Sequence, residues 1–196
     1  MNYTRTRLTE PRLLPLKESE WDEEQDPMLT PLKQFFKDGQ VSNVLTTLAR
    51  HPKLCDVWMQ YGAHILLTLT IPAREKEILI LRIGWLCCSE YEFGAHTLAG
   101  KQVGLGDEEI LRITKGPDTP GWSAFDAILI RAADELHKDA FITDETWHAL
   151  ATKYDEKQLL DLVFTVGHYI VISMALNSCG VQRDPGVPGF PEGAGK

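Results

Sequence analysis

From about residue 28 to about residue 178 the apolar residues of this chain recur at helical spacing almost without interruption. No segment alternates apolar with polar residues as a half-buried strand does. Only helices packed on helices satisfy that pattern. Its breaks fall where backbone chemistry puts them. Gly39 separates short helices expected near 28–38 and 42–50, and Pro52 opens a longer one to about 69, in the first-turn position proline suits. An Ile- and Leu-rich helix is predicted from Pro72 to about 87, and another over about 90–103, ending at Gly104. Asp107, Glu108 and Glu109 open the next with the acidic first turn that the helix dipole favours. After a break at Gly116, Pro117, Pro120 and Gly121, helices are expected near 122–138, 143–153 and 155–178. The fold class is all-α. One helical domain over 31–180 is flanked by an extended arm at 1–30 and a Pro/Gly-rich tail at 181–196.

Composition narrows the function. A net charge of −8 without a basic run argues against nucleic acid as a partner. No apolar stretch reaches the roughly 20 residues a membrane span requires, and the greasiest window, 159–176, contains Asp161 and His168. The first residues lead into no apolar run, as a signal peptide would. Cys55, Cys87, Cys88 and Cys179 lack the spacing of a disulfide framework. The expectation is a soluble, cytoplasmic protein with no membrane partner.

Residues 77–96 stand apart. Inside a mostly apolar helical stretch they carry Glu77, Ser89, Glu90, Glu92 and His96, groups that are costly to desolvate unless paired. Each has a local explanation: Ser89-x-x-Glu92 has the form of a capping box, and Glu77 lies in a first helical turn. Jointly they say more. On one helix turning about 100° per residue, Ser89, Glu92 and His96 share a face within roughly 60°, while Glu77 lies about 100° or more away. A break between Cys88 and Ser89 lets two packed helices bring Glu77 over Ser89 and His96. A partly buried Glu77 is expected to have a raised pKa, useful for delivering protons near neutral pH. Tyr91 is a donor or a wall residue. His168, beside a glycine (Gly167) that permits close approach of another helix, is a second pocket candidate, and His64 is expected to be a satisfied core histidine. No second histidine stands at metal-ligand spacing from His96, and no glycine-rich phosphate loop occurs, so neither metal nor cofactor is expected.

The arrangement Glu77…Ser89-x-x-Glu92-x-x-x-His96 resembles the carboxymuconolactone decarboxylase family, which includes the alkylhydroperoxidase D-like proteins. The likeness is clearest over about 73–112 and looser over about 40–185. The family's peroxidase branch has cysteines at the positions of Ser89 and Glu92, so the resemblance is to the branch without that pair. It implies an all-helical protomer that assembles into homotrimers or homohexamers. It also implies a cofactor-free lyase of aromatic-compound catabolism, decarboxylating or isomerising a small, anionic lactone or cyclic carboxylate. Glu77 and His96 would then be the acid–base pair, Ser89 would orient substrate or stabilise a dienolate, and Glu92, Tyr91 and His168 would contact it. Two other readings stand beside this one. A thiol-dependent peroxidase or redox protein would use Cys87 or Cys88 and needs an accessible thiol of low pKa. A non-catalytic helical assembly module would fill its pocket with side chains.

Overall fold

A computed structural model of the chain describes residues 8–194, with every side chain among them except that of Lys37. Residues 1–7 and 195–196, the far ends of the expected arm and tail, lie outside the described residues. Every regular element among the described residues is helical. Helices α1 (Gln25–Leu29), α2 (Asn43–Leu48) and α3 (Pro52–Ala63) lead through a π-helical turn at His64–Thr68 to α4 (Ala73–Leu86) and α5 (Glu90–Gln102). Then follow α6 (Asp107–Lys115), α7 (Ala124–Asp139), α8 (Asp144–Ala151) and α9 (Glu156–Cys179).

The axis of the domain is α4. Ile78, Leu79, Ile80, Leu81 and Ile83 are all fully buried, so this helix is apolar on every side and needs neighbours all around it. They are α5, α7 and α9. Gly84 lets α5 come close, since a Cβ there would stand 3.1 Å from the Phe93 backbone nitrogen. The polar residues of α4 fasten it to the surrounding shell. Arg82 donates to Asp134 of α7 and to the Ile113 and Thr114 carbonyls at the end of α6. Arg74 bridges Asp126 and Glu109, and Glu75 accepts from Tyr154 and Lys153.

The expected break between α4 and α5 is present. Cys88 takes a left-handed φ of 53°, and the Ser89 N–H donates to the Gly84 carbonyl at 2.8 Å. The described part of the N-terminal arm docks on its own chain: the Arg12 and Leu13 N–H groups donate to the Cys179 carbonyl, and the Arg50 side chain donates to the Leu14 carbonyl. The tail wraps back over the domain, seating Phe190 edge-on against Trp85 and Phe93 at 5.1 and 5.2 Å. One expectation needs correction. By length and composition α9, with an 18-residue window of mean hydropathy 1.9, is apolar enough to cross a bilayer. Its inner face, including Asp161, His168 and Tyr169, is nevertheless buried against α4 and its neighbours, which is the position of a core helix.

Candidate active site

The turn between α4 and α5 brings Glu77 against His96, whose Nδ1 lies 2.6 Å from Glu77 Oε2. Both side chains are buried. On the other side of the ring, His96 Nε2 is 3.7 Å from Oε2 of Glu92, one helical turn earlier on α5. Behind Glu77, the Lys76 ammonium stands 3.4 Å from Oε1. Lys76, Glu77, His96 and Glu92 thus follow one another in a chain of side-chain contacts.

The two carboxyls are pushed in opposite directions. Burial raises the Glu77 pKa, but the hydrogen bond and charge of His96, joined by Lys76, outweigh it, and the net shift is downward. This corrects the expectation of a raised Glu77. The raised glutamate is Glu92, pushed up by burial with only the charge of His96 opposing. With Glu77 ionised, the short bond requires a proton on His96 Nδ1. A ring carrying one proton therefore presents its Nε2 lone pair on the Glu92 side.

A cavity of about 760 Å³ opens between α3, α5, α9, the 36–44 loop and the 184–187 segment. His96, Glu92, Tyr91 and His168 all line it. Glu77 touches it only through His96. Ser89 is not in the wall; its Oγ is buried without a partner and does not cap α5. The capping box is therefore not formed, and the Glu92 carboxyl turns toward His96 instead. The Tyr91 hydroxyl is occupied, donating to Asp184 and accepting from the Val44 N–H at 3.3 Å. Burial, aided by the charge of His96, holds His168 down to about 4, so it is a neutral ring, stacked on Trp58 at 5.6 Å and edge-on to Tyr61 at 4.7 Å.

His64 is an exposed residue, not a core one: its ring nitrogens meet Asp161 at 3.2 Å and Thr68 at 2.8 Å. Cys87 and Cys88 are absent from the cavity wall, and Cys88 is buried. Among the described residues no three His, Cys, Asp or Glu side chains converge as a metal site would require. The sequence reading passed over Trp58 on α3, Tyr169 on α9 and Asp184 in the tail, all of which line the cavity. The spacing of Trp58 with Gly62, and of Tyr169 with Ile172, was a signal for the first two, although the same spacing describes core.

The order and packing of these helices are those of the alkylhydroperoxidase D-like fold. An uncharacterized peroxidase-related protein from Silicibacter sp. TM1040 is similar over 97% of both chains, with a TM-score of 0.76 at 13% identity. Another from Ralstonia eutropha JMP134, described as an alkylhydroperoxidase AhpD core, has a TM-score of 0.76 at 12% identity over 88% of this chain and 93% of its own. The debrominase Bmp8, in a cysteine-to-alanine variant in complex with 2,3,4-tribromopyrrole, has a TM-score of 0.73 at 13% identity over 90% and 94%. At such identities the likeness establishes the fold. No family model and no curated protein matches the chain by sequence.

Proposed function

We propose that this chain is a cofactor-free acid–base enzyme that moves a proton on a small cyclic carbonyl compound such as a lactone, isomerising it. The observation that carries this reading is the buried Glu77/His96 pair, held at 2.6 Å and opening through His96 onto a cavity that also receives Glu92. The His96 Nε2 lone pair takes a proton from carbon beside the carbonyl, ionised Glu77 balances the imidazolium, and His96 returns the proton to another carbon. Decarboxylation of a carboxylated lactone is the second reading, because the same imidazolium can protonate the carbanion that CO2 leaves behind.

The cavity favours a neutral substrate over the anionic one the resemblance implies. Its wall carries Asp38, Glu92 and Asp184 and, among the described side chains, no lysine or arginine, so a carboxylate would be desolvated there without a cationic partner. Bmp8, of similar fold, is in complex with a small planar ring, which supports a planar ring as the occupant here. The thiol reading is disfavoured because neither Cys87 nor Cys88 lines the cavity. An open space of about 760 Å³ weighs against a non-catalytic module.

The test is hydrogen exchange in heavy water, read by proton NMR, on a panel of small lactones and cyclic enones with no metal or thiol added. Carboxylated members are followed by CO2 release. His96→Ala is expected to slow exchange or turnover by about 10²- to 10⁴-fold, the usual contribution of a positioned acid–base group. Equal exchange by wild type and His96→Ala would sink the reading.

A further inference from the structure

Some polar groups around the cavity already have protein partners. His96 Nδ1 is held by Glu77, and the Tyr91 hydroxyl by Asp184 and Val44. Two groups differ. Tyr169 lines the cavity, is only 4% exposed and stands edge-on to His96 with ring centroids 4.8 Å apart. Its hydroxyl makes no hydrogen bond to any described residue. Glu92 lines the same cavity, is 6% exposed, and comes no nearer than 3.7 Å to His96 Nε2, beyond hydrogen-bonding reach. Both residues line the cavity, where a hydroxyl and a carboxyl without a protein hydrogen bond can meet a ligand atom.

We infer that the Tyr169 hydroxyl and the protonated Glu92 carboxyl donate together to one substrate oxygen, the carbonyl oxygen that becomes an enolate when His96 removes the neighbouring proton. The inference rests on the acid–base reading and gives it a substrate class: planar cyclic enones and unsaturated lactones, with phenols as mimics of the enolate. Burial, the largest cause for each, raises both groups and favours the protonated form that donates. An uncharged carboxylic acid beside a phenol in an apolar site can stabilise an enolate without placing a fixed cation there. Trp58, Val44, Leu98 and Ile172 give the wall an apolar part that suits a ring.

The step balances without a further reactant. The C–H bond breaks, its electron pair moves into the carbonyl system, and the oxygen takes the negative charge between Tyr169 and Glu92. The proton rests on His96 Nε2, opposite ionised Glu77. Its return to a different ring carbon restores a neutral product and a neutral His96. Ser89, expected to stabilise the dienolate, stands outside the cavity wall, and Tyr169 with Glu92 takes that role.

The experiment is an absorbance titration with 4-nitrophenol, a planar phenol whose spectrum reports binding. Wild type is expected to bind it. Tyr169→Phe and Glu92→Ala should each weaken binding by about tenfold or more, and Glu92→Gln, whose amide still donates, by less. Tyr169→Phe keeps the ring, so an unchanged circular dichroism melt shows that its effect is not one of folding. Equal affinity across wild type, Tyr169→Phe and Glu92→Ala, or no binding by wild type, would overturn the oxygen-binding pair. The acid–base reading is judged separately, by exchange that depends on His96.

Discussion

Two glutamates that flank one imidazole respond to pH in opposite senses, and that contrast can be measured without knowing any substrate. Glu77 is lowered from an ordinary value of 4.5. Its contribution to stability is present above that value and is lost as pH falls through the lowered one. Glu92 is raised from 4.5. Its protonated form is the one the fold prefers, so its contribution is complete below 4.5 and is lost as pH rises through the raised value. Glu77→Gln should therefore cost about 2 kcal/mol near neutral pH, the scale of a hydrogen bond to a charged group, and less in acid. Glu92→Gln, uncharged at every pH, should gain on wild type as pH rises. Thermal melts across the pH range check both, and parallel curves for the two variants would refute the assignment. The pairing of Glu77 with His96 was legible in the sequence because ionisable groups are rare in so apolar a stretch. Their protonation was not. Burial alone predicts a raised Glu77, and only the 2.6 Å bond to His96 and the nearby Lys76 reverse the sign.

Among the elements, α4 was readable because an uninterrupted Ile/Leu run has few alternatives to the centre of a helical domain. The π-helical turn after α3 was not, since its residues His64–Thr68 continue the apolar pattern without a break. The path of the tail was not readable either. Proline and glycine exclude a helix there but say nothing about where the segment lands. It lands on α5 at Gly94, where a Cβ would stand 2.0 Å from the Pro188 carbonyl oxygen and 2.8 Å from a Val187 methyl. Alanine in a helix interior is intrinsically better than glycine by about 1 kcal/mol. Overlap with a backbone oxygen outweighs that gain, because the 187–188 segment must move as a unit. Gly94→Ala is therefore expected to lose about 2 kcal/mol and to weaken 4-nitrophenol binding by displacing a wall of the cavity. Calorimetry and the absorbance titration read the two effects. A variant more stable than wild type would show that the tail does not rest on α5.

Across the whole molecule, one face of α9 has no partner among the described residues. Leu160, Phe164, Val171 and Met174 are 58, 56, 61 and 60% exposed, and they follow one another at the spacing of a single helical stripe. Gly167 sits among them, exposed, with nothing within 4 Å of where its Cβ would be. On α3, Tyr61 donates to the Phe164 carbonyl, and Val57, 64% exposed, lies one turn earlier, so the apolar surface extends past one helix. The sequence pointed to assembly through the family resemblance, but a helix as apolar as α9 does not declare in its sequence which side faces out. Contiguous apolar surface of this kind marks an interaction site in a water-soluble protein, and we propose that a second copy of α9 covers it, with Gly167 allowing close approach. Light scattering behind size exclusion should then report an oligomer, a trimer or hexamer if the resemblance extends to assembly. Val171→Glu should drive it toward the monomer, because the interface would have to bury an unpaired charge. Leu160, Phe164, Val171 and Met174, in contrast, are not among the residues that line the cavity. Monomeric Val171→Glu should consequently keep its affinity for 4-nitrophenol within about threefold, the ordinary context-dependence of a distant surface change. A monomer that loses binding would mean that assembly holds the cavity in shape. A wild-type monomer would mean that something other than a second copy covers α9.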